Sequence, residues 1–185
     1  MKISVIEHMA GEGRTVLVER LARMISEERV PYDPDYKEGC GPCEMRGKNL
    51  ACPPHSPFLP EYIEGSKLVM ALCFRVPLEQ FPNAIPDESY WDAYNLVRDM
   101  LYEELVSWRQ KGHIVAGSGP CHSCRECLAL KGETECRFPD KRVYSLESMG
   151  VSVVLFSEAA FELSLDWSGP GSSADFVSAI GAVFI

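Results

Sequence analysis

The chain has 185 residues, a formal net charge of -9 and 46% hydrophobic residues. One ordinary domain, 1–185, accounts for that length, and 8 Phe, 7 Tyr and 3 Trp supply a core that needs no crosslinks. The acidic balance excludes a nucleic-acid partner bound through counterion release, and no apolar run is long enough to cross a bilayer. Met1 to Val16 has no apolar core of the kind a secretory signal needs, so the expected location is cytoplasmic. Thiols stay reduced there, and the 8 cysteines read as metal-binding or catalytic groups before disulfides.

In chain order, Lys2 to Met9 reads as a short strand, and Gly11-x-Gly13 as a turn, since it lacks the third glycine of the dinucleotide fingerprint. Thr15 is placed to cap a helix to about Glu28, with Leu17, Leu21 and Met24 on one face and Val18 and Ile25 beside it; Pro31 and Pro34 end it. Gly39 to Pro60 is a Gly-, Pro- and Cys-rich loop. Lys67 to Val76, KLVMALCFRV, has the near-continuous apolar character of an interior strand covered on both faces. Asp87 is placed to cap the longest helix, whose stripe is Tyr94, Val97, Leu101, Leu105 and Trp108 and whose stop is Gly112. A short strand at His113 to Ala116, a helix around Val143 to Met149, a strand at Val151 to Phe156 and a final strand at Ala182 to Ile185 complete the chain. Strands alternating with helices imply an α/β class: a mixed, partly parallel sheet flanked by helices, with two cysteine-rich metal-binding loops leaving it.

The cysteines carry the chemistry. Cys40-Gly-Pro-Cys43 is followed by Cys52-Pro-Pro, and Cys121-x2-Cys124-x2-Cys127 is followed by Cys136-Arg-Phe-Pro. A C-x2-C turn brings two thiolates to one metal face, and a single zinc ordinarily takes two such pairs, or one pair with histidines. The triple C-x2-C-x2-C run suits a cubane instead, in which each iron takes one thiolate. Cys121, Cys124, Cys127 and Cys136 are accordingly assigned to one [4Fe–4S] cluster, with Arg125, Lys131, Arg137, Lys141 and Arg142 available to offset its charge. Gly117 and Gly119 permit the backbone turns that aim amides at sulfur.

Cys40, Cys43 and Cys52 supply three thiolates and lack a fourth ligand. Cys73 is a candidate, although a cysteine in an apolar strand reads as a small buried hydrophobe. His55 is a second candidate, which would complete a Cys3His zinc site or cap a cluster, and an open fourth iron is the third option. His8 and His122 are weaker ligand candidates, and zinc stays open as the alternative metal.

The segments CGPCEMRGKNLACPPHSP, GSGPCHSCRECLALKGETECRFP and RVYSLESMGVSV together resemble domain of unknown function family 2284, a cysteine-rich family of predicted metal-binding proteins. The resemblance runs from about Cys40 to Val153. It implies that Cys40, Cys43, Cys52, Cys121, Cys124, Cys127 and Cys136 are the metal ligands, and it leaves Cys73 out. Three functions follow as expectations. The first is an iron–sulfur protein, with one or two [4Fe–4S] clusters, that transfers electrons as an accessory or subunit of a redox system and meets a redox partner protein. The second is an enzyme using an open iron at Cys40, Cys43 and Cys52, and the third a zinc-stabilised interaction module.

Overall fold

A computed structural model of the chain describes residues 1–9, 13–81, 86–165 and 175–185. Strand β1 (Lys2–Met9) pairs antiparallel with β2 (Thr15–Ser26), Met9 opposite Thr15 and Lys2 opposite Ala22. Gly11 of the expected turn lies outside the described residues. The helix expected from Thr15 to Glu28 is therefore a strand. Val16 and Val18 are buried on one face of the sheet, whereas Leu21 and Ile25 are buried on the other. A strand whose buried residues change face partway along mimics helical spacing, and pairing on both edges, with β1 and β3, decides the outcome.

Strand β3 (Leu68–Pro77) is central, antiparallel to β2 on one edge and to β6 (Phe176–Phe184) on the other. It is covered on both faces, as its apolar run implies. The final strand is longer than expected, starting at Phe176. Strand β4 (Ile114–Gly117) runs antiparallel to β6 and parallel to β5 (Tyr144–Ser145), giving the six-stranded order β1-β2-β3-β6-β4-β5. The sheet is mixed, and its parallel part is the β4–β5 pair.

Helix α1 (Leu59–Tyr62) is one turn, and α2 (Pro86–Gln110) is the long helix. Val97, Leu101 and Leu105 of α2 are buried against Leu72, Val115 and Val183, with Tyr94 and Trp108 partly buried beside them. Gly181 lets α2 lie close: a Cβ there would stand 3.1 Å from Leu101 Cδ1 and 2.7 Å from the Ala116 carbonyl. The capping role expected of Asp87 falls on a side chain outside the described residues. Gly112, at φ +91°, ends the helix turn with its N–H on the Arg109 carbonyl at 2.9 Å.

The segment after the second cysteine loop corrects two expectations. Val143 to Met149 is not a helix; it holds β5 and a 3-10 turn at Glu147–Met149. Val151 to Phe156 is not a strand; helix α3 (Val153–Phe161) starts there, with the Ser152 hydroxyl accepting the Leu155 amide at 3.4 Å. The β-branched run of Val151, Val153 and Val154 suggests a strand, but a serine cap and buried Val153, Phe156 and Ala160 at helical spacing prevail. Helix α3 covers the sheet face opposite α2, packing on Leu21, Cys73 and Ile180.

Candidate metal centre

The first cysteine loop is a chain of tight turns. The Cys43 amide reaches the Cys40 carbonyl at 3.3 Å, the Cys52 amide the Asn49 carbonyl at 2.9 Å, and the Gly47 amide the Pro53 carbonyl at 2.8 Å. These turns place Cys40, Cys43 and Cys52 in the wall of a cavity of about 410 Å³, shared with Met45, Pro120 and Glu147.

The second loop leaves the sheet at β4. Ser118 fixes its exit, donating to the Ile180 carbonyl at 2.7 Å and accepting the Ile180 amide at 2.9 Å. Gly119 sits at φ +67°, as a turn there requires, and a Cβ on it would come 3.1 Å from Tyr94 Oη. Gly117 serves otherwise than expected: it lies within β4, where a Cβ would stand 3.0 Å from Leu105 Cδ1. Cys121, Cys124, Cys127 and Cys136 line a second cavity, of about 300 Å³, together with Arg98, His122 and Arg142. The two cavities are neighbours, with Met45 and Pro120 in the walls of both. Among the described residues no three His, Cys, Asp or Glu side chains converge as they would on one metal ion. The thiols surround volumes rather than a point.

Asn49 fastens the loops together. Buried to 4% exposure, it donates to the Cys121 carbonyl at 2.7 Å, and its Oδ1 accepts the Ala51 amide at 2.9 Å. The intervening Leu50 amide points at Cys127 Sγ over 3.3 Å. Helix α2 holds the second loop from behind. Tyr102 Oη donates to the Lys141 carbonyl at 2.6 Å, touches the Ser123 hydroxyl and lies 4.0 Å from Cys121 Sγ. Arg109 bonds the Pro139 carbonyl at 3.1 Å and Tyr62 Oη at 2.7 Å.

The charges around these cavities are unbalanced in the protein alone. Burial, and then repulsion from Cys43, Cys40, Cys121 and Cys127, pushes the Cys52 thiol up to about 12. Cys40 is raised by burial and then by Glu147 and Cys43; Cys124 by burial and then by Cys136, Cys121 and Cys127. Cys52 feels thiols of both groups, so the two sites are electrostatic neighbours, and loading either with metal releases protons. On the opposite side of the balance, Arg98 Nε, Arg142 Nε and His122 Nδ1 are buried without a hydrogen-bond partner. All three residues line the four-cysteine cavity. Burial, then Arg98, holds the His122 imidazole below its ordinary value despite Asp99 Oδ1 at 3.3 Å from Nε2. The two arginine Nε–H groups are orphaned buried donors, which are costly, and an anionic thiolate-held group would satisfy them. The donor set and its surroundings therefore fit an iron–sulfur cluster.

The remaining sequence candidates sit elsewhere. Cys73 is 0% exposed in β3, opposite Leu21 and Ile180, and lines neither cavity. His55 is exposed just after the Pro53–Pro54 pair, and His8 stands on β1 opposite Val16; neither lines a cysteine cavity. Asn49, Arg98, Tyr102 and Glu147 were missed in sequence, because each meets the cysteines only through the fold. The one available signal was the position of Asn49 between Cys43 and Cys52.

A layered mixed sheet carrying two adjacent thiol-lined cavities on its loops is the build of a cysteine-rich metal-binding protein. The chain belongs to the DUF2284 family, described as predicted metal-binding protein, whose family model matches residues 23–185. That match extends past the cysteine loops to take in the end of β2, from Arg23, and all of β6. Comparison with curated proteins and with solved structures finds no match. No helix among the described residues is long and apolar enough to cross a membrane.

Proposed function

We propose that the chain holds two [4Fe–4S] clusters, one at Cys121, Cys124, Cys127 and Cys136 and one at Cys40, Cys43 and Cys52, and transfers electrons as a subunit or accessory of a redox system. The observation that carries this reading is the pair of adjacent cavities, each walled by one cysteine group, with Met45 and Pro120 between them. A bound cluster supplies one-electron redox chemistry. The protein supports it with the Leu50 amide aimed at Cys127 Sγ at 3.3 Å and with the orphaned Arg98 and Arg142 donors. Hydrogen bonds to sulfur and nearby positive charge both raise a cluster's potential. The first site is the more open, with Cys43 exposed, and suits contact with a redox partner protein.

A second reading, an enzyme acting at the first site, is favoured by its three thiolates, which leave one iron for a ligand of another kind.

Anaerobic purification followed by a visible spectrum and assays of iron, acid-labile sulfide and zinc tests the proposal. Roughly eight irons with matching sulfide per chain are expected for two four-iron clusters. Cys43→Ser and Cys124→Ser should each impair one cluster while leaving the other. Colourless protein holding zinc and no sulfide would overturn the iron–sulfur reading in favour of a zinc-stabilised module.

A further inference from the structure

The three-cysteine cavity has one more wall residue able to bind metal. Glu147 lies in the 3-10 turn that follows β5, and its side chain lines the cavity with Cys40, Cys43 and Cys52. The turn is locked to the first cysteine loop on both sides of Cys52. Ser148 Oγ donates to the Ser145 carbonyl at 2.8 Å and to the Ala51 carbonyl at 3.3 Å, and the Ser148 carbonyl accepts from Ser56 Oγ at 2.7 Å. Ser148 is 1% exposed, so this brace is internal. Ala51 and Ser56 bracket Cys52 in sequence, and the brace therefore fixes where Glu147 stands relative to that thiol.

Part of the surface of Glu147 stays accessible, but Oε2 is buried and has no hydrogen-bond partner. Burial raises the Glu147 carboxyl above its ordinary value, against hydrogen bonds with its own backbone and Ser145; a cation at the unpartnered Oε2 would compensate the buried charge. After burial itself, Glu147 is the largest electrostatic influence on the Cys40 thiol. Neither sequence candidate for the fourth position, Cys73 or His55, lines the cavity.

We propose that Glu147 is the fourth protein ligand of the group held by Cys40, Cys43 and Cys52, so that one iron corner of the first cluster is bound by a carboxylate oxygen. This assignment rests on the iron–sulfur reading of that site. A hard oxygen ligand among soft thiolates holds its iron less firmly than cysteine does, which makes that corner the exchangeable one. Glu147 also lines a third cavity, of about 230 Å³, shared with Tyr94, Ser118 and Arg75.

The test uses the full chain reconstituted without oxygen, with iron and sulfide counts and electron paramagnetic resonance after mild oxidation. Wild type should hold roughly eight irons. Glu147→Ala and Glu147→Gln should each lose the corner iron, falling to about seven and showing the signal of a three-iron cluster. Glu147→Cys should restore the count and resist oxidation better than wild type. Circular dichroism reports folding, and Glu147→Gln, which keeps the shape of the side chain, serves if Glu147→Ala does not fold. Iron counts and resonance spectra identical to wild type in folded Glu147→Gln would overturn Glu147 as ligand and leave the two-cluster reading standing. A wild type with no labile sulfide would overturn both.

Discussion

Asn49 and Cys121 are joined by a 2.7 Å hydrogen bond from the buried carboxamide to the backbone carbonyl, and this contact makes one unit of two loops that are 72 residues apart. The same carboxamide accepts the Ala51 amide at 2.9 Å, which aligns the Leu50 N–H with Cys127 Sγ. Asn49→Ala leaves the part-buried Cys121 carbonyl and the buried Ala51 amide without this partner. The expected cost is about 2 kcal/mol in unfolding free energy of the metal-free chain, read from urea titrations. Because the residue braces both cavities, metal should also leave both sites faster when a chelator is added. Loss confined to one site would mean that the loops are held together by other contacts.

Cys73 gives a prediction about pH. Burial pushes its thiol from about 9 up to about 12. A raised pKa means that the folded state holds the proton more tightly than the unfolded chain. The associated stability is full below about 9 and drains away as pH rises from about 9 toward about 12. Cys73→Ala removes this dependence, so the stability difference between wild type and variant should shrink steadily across that window. Metal content should be unchanged by the substitution. In the folded protein Cys73 should also escape alkylation by iodoacetamide and react only after denaturation.

Arg98 and Arg142 present buried, unpartnered Nε atoms at the four-cysteine cavity. Replacing either with Met keeps much of the apolar stem and removes the positive charge. The oxidised cluster carries less negative charge than the reduced one, so losing a nearby cation favours oxidation. On the two-cluster proposal, spectroelectrochemical titration should find the potential of the group at Cys121, Cys124, Cys127 and Cys136 lowered in both variants, with the group at the first site affected less. An unchanged potential would assign these arginines to packing alone.

Gly119 is where the second loop turns, at φ +67° with Tyr94 Oη 3.1 Å from the position of a Cβ. Gly119→Ala should destabilise the chain by about 1–2 kcal/mol through the left-handed backbone alone. Shortening the neighbour in Gly119→Ala/Tyr94→Phe should recover only the part due to the close contact. Thermal unfolding of the single and double variants separates these two contributions.

How much of this was legible beforehand depends on the range of the interaction concerned. The Val97, Leu101 and Leu105 face of α2 could be read directly because burial on a constant face writes its own period into the sequence, and the interior character of β3 because burial on both faces leaves a continuous apolar run. Strand β2 could not, since its buried residues pass from Val16 and Val18 on one face to Leu21 and Ile25 on the other. Between Val143 and Phe156 both expectations failed: a two-residue strand and a 3-10 turn stand in place of the helix, and α3 begins in place of the strand, because β-branched composition outweighed the capping serine at Ser152.

Ligand type and C-x2-C spacing are local properties of a turn, so the two cysteine groups and the resemblance to a predicted metal-binding family could be read without a structure. Only the folded chain shows that the groups occupy neighbouring cavities and that Glu147 lines the one walled by Cys40, Cys43 and Cys52; the burial of Cys73 is as its apolar strand implied. Those relations depend on hydrogen bonds such as Asn49 to Cys121 and Ser148 to Ala51, which join residues 72 and 97 positions apart. No periodicity in a single chain encodes such pairings; they exist only once the sheet has closed and brought its loops to one end.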